Sequence, residues 1–558
     1  MKRGRRQRRR FRDLKSSEIM IEYPQRPEQY KKMAQKHLFS KEQDLAANPS
    51  ENVWVQANAG TGKTSVLVQR LLRILFRTDA RDVGILCLTY TNAAANEMRN
   101  RILKALRNWA TANDEELRGL LKDIAAGQNA TEPDLRRARG IFYKYIDNQS
   151  ILKIKTIHGF CEEILRRFPM EAGISPAWKL VSDSNQKILL ADAFHRLINS
   201  PASLSKEENN QVSAAFLHML GQVSEYYLDD LLSMLTTQYK QFFHIDNISS
   251  FRKYFIDTIR YFLDLDSPEP TGSTPEILQN IVKNAENDIN SSKKPAAYLI
   301  NIVNLTKQYI DKTIDFDEYK YAYLTSQDTK NLNVGRKNYL TGEQECVYRI
   351  NQRRLDEKIF SDTMALFDLS AAFAKTYKDL KAERNMLDFD DLILYTRKLF
   401  SKPDSMGWVL SQLDMSLNHI LVDEAQDTSP EQWDILKMLS GDFFADGDLE
   451  NHARSLFVVG DSKQSIYAFQ GADLQAFSVS KNEIAAQIRN NFRTIEEVPL
   501  MQSFRSTAPI LRVLDYFFGD ARVREATGFA NSDHKCFRGD APGLVEIHKL
   551  ASKETDEI

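Results

Sequence analysis

The segment Ala57-Asn58-Ala59-Gly60-Thr61-Gly62-Lys63-Thr64 follows a short apolar run, Val53 to Ala57, and leads into apolar residues at helical spacing from Ser65 to Phe76. Strand, small-residue loop and helix in that order point to a fold in which a loop wraps a polyphosphate. Small residues let backbone N–H groups come close to the phosphates. A lysine at the end of the loop reaches the β- and γ-phosphates, and the hydroxyl after it ligates magnesium. Lys63 and Thr64 hold those positions. Ala57 stands where the general pattern has glycine, while Gly60 and Gly62 keep the backbone open where phosphates enter.

The acidic half of such a site lies far down the chain, at Val422-Asp423-Glu424-Ala425-Gln426-Asp427. Behind the buried-strand run Ile420 to Val422, Asp423 is placed to hold magnesium directly or through water, and Glu424 to orient or deprotonate an attacking water. Alone, an acidic pair behind aliphatic residues is a solvated strand end. Joined to the glycine loop, it reads as a nucleoside-triphosphate hydrolase split by a very large insertion.

Further strands are expected at Val83 to Thr89 and Ser455 to Gly460, and a helix over Asn92 to Arg107 capped by Thr91 or Asn92. Strands alternating with helices give an α/β parallel sheet. Between 181 and 384 the pattern becomes helical, broken by polar stretches at Asp266 to Thr274 and Ser291 to Pro295. At 558 residues and 42% hydrophobic the chain can bury more than one core. The 75 Lys and Arg nearly balance the 76 Asp and Glu, so any nucleic-acid surface must be local. Cys87, Cys161, Cys346 and Cys536 are too dispersed for a zinc ribbon or disulfide framework. With no apolar run of membrane length, the chain reads as soluble, cytoplasmic and without a membrane partner. Eight basic residues between Lys2 and Arg12 read as an arm for phosphate backbones, as a targeting tail or as a disordered extension over 1–34.

The third element is Val459-Gly460-Asp461-Ser462-Lys463-Gln464-Ser465-Ile466-Tyr467-Ala468-Phe469-Gln470-Gly471-Ala472-Asp473. With the two segments above, it resembles the superfamily 1 DNA helicases of the UvrD, Rep and RecB type, and more closely the AddA-type helicase subunits of bacterial double-strand-break repair. The resemblance continues through Thr89 to Met98, Thr156 to Cys161, Leu387 to Leu392 and Ser503 to Ser506, in the family's order.

That resemblance implies an ATP- and Mg2+-dependent, RecA-like motor domain. It would be built from 35–180 and 385–520, carry a mostly helical insertion at 181–384, and have the start of a second motor domain at 521–558. One candidate strand there is Gly543 to Leu550. It assigns the nucleotide to Gln43, Ala57, Asn58, Ala59, Gly60, Thr61, Gly62, Lys63 and Thr64, with Gln43 pairing with the adenine edge and Phe504 stacking on its face. Thr64 and Asp423 hold the metal. Lys63, Asp423, Glu424, Gln464 and Arg505 are the catalytic set, the last two sensing the γ-phosphate. Single- or double-stranded DNA is met by Thr89, Thr91, Asn92, Thr156, His158, Tyr467 and Phe469. His158 as a metal ligand is disfavoured because no carboxylate or cysteine cluster lies at ligand spacing. Gln470 replaces the arginine common in UvrD-like proteins, which predicts weaker coupling between nucleotide and DNA.

The function implied is the motor portion of a 3′-to-5′ DNA helicase in recombinational repair. The family's late arginine, its second motor domain and its nuclease domain are not recognisable before Ile558. The partners implied are a downstream-encoded C-terminal fragment and an AddB-like subunit. Two alternatives stay open: a UvrD- or Rep-type repair helicase, and a split-gene remnant that binds ATP and single-stranded DNA without unwinding.

Overall fold

The computed structural model of the chain describes residues 40–77, 84–124, 129–147, 152–199, 206–222, 233–237, 242, 245, 247–412, 417–445, 454–468, 471–527, 534–539 and 541–546. Two compact units divide it: one from the residues before and including Pro176 together with those from Asp390 onward, the other Ala177–Phe389.

The first unit is built on a six-stranded sheet. Its strands are β1 (Asn52–Ala57), β2 (Gly84–Thr89), β3 (Leu152–Thr156), β6 (Leu417–Val422), β7 (Ser455–Gly460) and β8 (Ile495–Leu500); β4 (Lys179–Leu180) and β5 (Met386–Leu387) belong to the other unit. The spatial order is β3-β2-β6-β7-β1-β8, and every pairing is parallel. Strands buried on both faces read as continuous apolar runs, as β6 and β7 do along their whole length. Alternate residues of β1 serve the two faces. Val53 and Val55 join the core made with helices Lys63–Arg77, Asn92–Thr111 and Glu132–Asp147. Trp54 points the other way and stacks on Trp433 at 5.8 Å, with Phe477 at 5.3 Å.

Because all six strands run the same way, their C-terminal ends share one edge of the sheet, where ligands of open α/β sheets bind. The segments following β1, β2, β3, β6 and β7 all contain candidate site residues. Beyond β8, a short strand β9 (Gln502–Ser503) pairs in parallel with β10 (Lys535–Cys536). The strand expected over Gly543 to Leu550 is a correction: 543–546 carries no strand, and 547–550 lies outside the described residues. The pairing partner comes earlier, from a segment whose sequence, with lysine, histidine and glycine around it, has no strand pattern.

The second unit is helical. The chain passes through β4 (Lys179–Leu180) near its start and β5 (Met386–Leu387) near its end, and the two strands pair in parallel. Between them a 46-residue helix, Asn338–Glu383, forms the spine. Its first half packs with helices Pro275–Ser291 and Ala297–Ile310, and its second half with Asp183–Asn199 and Lys206–Gln222, giving two separate apolar clusters along one rod. Where Leu387 ends, the Asp388 carboxylate is buried and accepts from Lys381 Nζ at 2.8 Å and from the Tyr377 hydroxyl at 3.0 Å. A buried acid needs such partners to stay ionised.

Candidate active site

After β1 the backbone enters the left-handed region twice, at Gly60 (φ +75) and Gly62 (φ +85). A Cβ at Gly60 would lie 2.5 Å from the Cβ of Arg505 and 3.2 Å from Ser503 Oγ, so both backbone shape and close approach require glycine there. The loop is braced by Thr61 Oγ1 donating to the Asn58 carbonyl at 2.8 Å. Helix Lys63–Arg77 then begins with no acidic residue in its first turn. Its unbonded N–H groups and the positive end of its dipole therefore favour an anion.

The acidic segment meets this loop. The Asp423 amide donates to the Leu88 carbonyl at 2.8 Å, extending β6 by one bond, and Glu424 takes a left-handed turn (φ +48, ψ 43). That conformation is costly for a residue with a Cβ. It accompanies an ion pair of the Glu424 carboxylate with Lys63 Nζ at 3.2 Å. Asp423 is buried, and loss of solvation, reinforced by the Glu424 charge, pushes its carboxyl up to about 7, against the opposing pull of Lys63 and Arg101. A carboxyl held this far above its usual range gains from a cation.

Gln464 donates its side-chain amide to Asp461, and Lys463 Nζ donates to Asn58 Oδ1 at 3.0 Å, linking the segment after β7 to the phosphate-type loop. Burial lowers the Lys463 ammonium from its ordinary value, against the pull of Asp461 and Asp515. The last segment closes over the loop: the Phe504 amide donates to the Gly60 carbonyl at 2.8 Å, and the Phe504 ring lies 3.9 Å from where a Gly62 Cβ would stand. Gln43 is buried beside it, donating from Nε2 to the Thr61 carbonyl at 3.0 Å and accepting the Ser40 amide at 3.1 Å in a capping box. One amide thus braces both the helix start and the loop, with one N–H and one lone pair left over. Arg505 is solvent-exposed, Ala57 and Asn58 are buried, and Ala59 and Thr64 are at least partly open to solvent.

The candidate strand-contact residues occupy the other half of the same edge. Thr89 and Thr156 are register partners on β2 and β3. Both Thr91 and Thr156 spend their hydroxyls on helix caps, accepting the amides of Ala94 at 3.1 Å and Gly159 at 3.0 Å. Asn92 is exposed at its helix start and His158 is half-buried, whereas Phe160 belongs to the interior. The Tyr467 ring lies 4.5 Å from that of Tyr90, which sits inside the Thr89 to Met98 segment but outside the candidate set. Burial, together with the Asp427 and Tyr467 charges, pushes the Tyr90 phenol up to about 12. Phe469 and Gln470 lie outside the described residues, as does the basic extension at 1–34.

The UvrD/REP helicase N-terminal domain model matches residues 39–485. The chain belongs to that family. Among its relatives is the A subunit of the ATP-dependent helicase/nuclease of Clostridium kluyveri, 25% identical over 91% of this chain and 42% of the relative. For the protein of the same name in Latilactobacillus sakei the figures are 27%, 84% and 53%, and in Listeria monocytogenes 26%, 84% and 38%. The chain thus spans roughly half or less of these relatives, as the coverage of each shows. The parallel sheet, with its C-terminal edge loops and helical insertion, is the RecA-like α/β architecture expected of a UvrD-type helicase domain.

The residues present suit a magnesium–nucleotide. The two left-handed glycines, the acid-free helix start and Lys63 suit the phosphates. Thr64 and Asp423 carry oxygen donors of the kind magnesium takes alongside phosphate and water, and the raised Asp423 carboxyl would gain from such a cation. Among the described residues no cluster of three or more His, Cys, Asp or Glu forms a separate metal cage. No helix among them is long and apolar enough to cross a membrane.

Proposed function

We propose that this chain is the ATP-hydrolysing, DNA-dependent motor portion of an AddA-like helicase acting in recombinational repair, moving 3′ to 5′. The observation that carries the reading is the convergence of four distant segments on one loop. Lys63 pairs with Glu424, Asn58 with Lys463, Gly60 with Phe504, and Thr61 with Gln43.

In this reading Lys63 leaves Glu424 for the incoming phosphates, and Glu424, freed of that pair, orients the attacking water. Asp423 and Thr64 would hold the magnesium, whose charge would offset that developing on the phosphates. Phe504 and Gln43 face the base, and Gln464 and Arg505 sense the γ-phosphate. Thr89, Thr91, Asn92, Thr156, His158, Tyr467 and Phe469 meet the DNA strand. The relatives' name is that of one subunit of a helicase/nuclease, which supports a partner subunit for this chain; the partners proposed are DNA and an AddB-like subunit.

The test is steady-state ATP hydrolysis with and without single-stranded DNA, for the unsubstituted chain and Glu424→Gln. Hydrolysis stimulated by DNA and abolished by the substitution supports the reading. Turnover indifferent to DNA points to another ATPase class. Tight binding of ATP and DNA with no turnover supports the binding-only alternative.

A further inference from the structure

We propose that Gln426 is a positioning residue: its carboxamide holds the Glu424 carboxylate and ties it to the segment Gly460–Gln464, so that the water-orienting acid and the γ-phosphate sensor share one support. This role rests on the ATPase reading above and falls to a residue outside the candidate set.

Gln426 is 1% exposed, and both of its N–H groups and its carbonyl oxygen have partners. Nε2 donates to Glu424 Oε2 at 2.9 Å and to Asp427 Oδ2 at 3.0 Å, while Oε1 accepts the Asp461 amide at 2.8 Å. The orientation of the amide follows from its partners, since two carboxylates can only accept and a backbone N–H can only donate. The neighbouring strand end makes room for it: a Cβ at Gly460 would stand 3.0 Å from Gln426 Oε1. Asp461 in turn receives the side-chain amide of Gln464. The resulting chain of contacts runs Glu424, Gln426, Asp461, Gln464.

Its consequence appears when Lys63 moves. Glu424 Oε2 has two donors, Lys63 Nζ at 3.2 Å and Gln426 Nε2 at 2.9 Å. Once Lys63 turns to a phosphate, Gln426 is the donor that keeps the carboxylate in place. A displacement of the Asp461 backbone, driven through Gln464, would shift the amide and with it Glu424. A carboxylate misplaced by about 1 Å can cost on the order of 100-fold in rate.

Two substitutions separate the two halves of the tie in the full chain. Gln426→Glu keeps the acceptor for the Asp461 amide and replaces both donors with a charge facing Glu424 and Asp427. Gln426→Ala removes everything. Both are expected to lower kcat for ATP by about 10–100-fold with KM within about twofold. Amide hydrogen exchange at Asp461 should stay slow in the unsubstituted chain and Q426E, and become fast in Q426A. Unchanged kcat in Q426E, or unchanged Asp461 exchange in Q426A, overturns the proposal. If Q426A does not fold, the isosteric Q426E decides alone. No turnover by the unsubstituted chain, with Asp461 exposed by Q426A, defeats the ATPase reading and leaves the tie standing; normal turnover by both variants defeats the tie and leaves the ATPase reading.

Discussion

The two ends of the six-stranded sheet handle buried charge in opposite ways. At the end where β1, β6 and β7 begin, Arg70 is wholly buried and donates to the Ala46 carbonyl at 2.9 Å, to the Glu51 carbonyl, and to Ser455 Oγ at 2.9 Å. Ser455 Oγ lies 2.8 Å from His419 Nδ1, so the hydroxyl accepts from Arg70 and donates to a neutral imidazole. Burial, with the Arg70 charge close by, holds that imidazole down to about 3, and burial likewise lowers the guanidinium to about 9. The same strands end at Lys63, Asp423, Glu424 and Gln464, where φ is left-handed at three positions and Asp423 is poised far from its usual range. One end holds its charge on two backbone carbonyls and a buried hydroxyl that is itself tied to His419. The other pairs side chain with side chain across separate loops, contacts that an entering anion can replace.

That contrast predicts that substitutions at one end damage activity and those at the other damage stability. Lys63→Ala, at the loop end, is expected to lower DNA-stimulated ATP hydrolysis by at least about 10²-fold, since in the proposed function it removes a charge that meets the phosphates, while the melting temperature moves little. A steady-state assay alongside thermal denaturation checks both halves. Arg70→Ala, at the opposite end, strands two carbonyls and a hydroxyl and is expected to cost on the order of 3 kcal/mol in denaturant unfolding. Nucleotide affinity measured below the transition should then stay near that of the unsubstituted chain.

Gly60→Ala tests whether the loop geometry itself matters. The added Cβ meets Arg505 and adopts an unfavourable φ, so ATP affinity by fluorescence titration should fall by about tenfold, the equivalent of the 1–2 kcal/mol that a left-handed residue with a Cβ costs. Equal affinity would show that the Arg505 segment yields.

The last test is a pH slope. The folded His419 pKa lies below its unfolded value, so protons bind the unfolded chain first. Its contribution is full above about 6.5 and is lost as pH falls toward about 3. The slope reaches about 1.4 kcal/mol per pH unit at most. His419→Gln should flatten acid destabilisation in that window, and an unchanged slope would mean that the imidazole takes a proton in place.

The functional end was the more legible in sequence, for physical reasons. A loop that must approach phosphates demands glycine, and an acidic pair after Ile420, Leu421 and Val422 stands out against its apolar strand. The neighbouring strands were harder to read. In β3, Lys153 and Lys155 alternate with buried Leu152 and Ile154, and β8 carries Glu496, Glu497 and Pro499, which an edge strand tolerates and a central one does not. The β9–β10 pair depends on a contact between distant segments that no local pattern encodes. Gln426 was in plain view within its motif, yet glutamine has no distinctive spacing, and its importance lies in three partners that only folding brings together.

Whether the four converging segments form a single nucleotide site is the central question. Isothermal titration of Mg·ATP into the Glu424→Gln chain, in which turnover is expected to be blocked, asks this directly. One site per chain, dependent on magnesium and abolished by adding Lys63→Ala, is the predicted result. Binding that survives Lys63→Ala, or no binding at all, would contradict it.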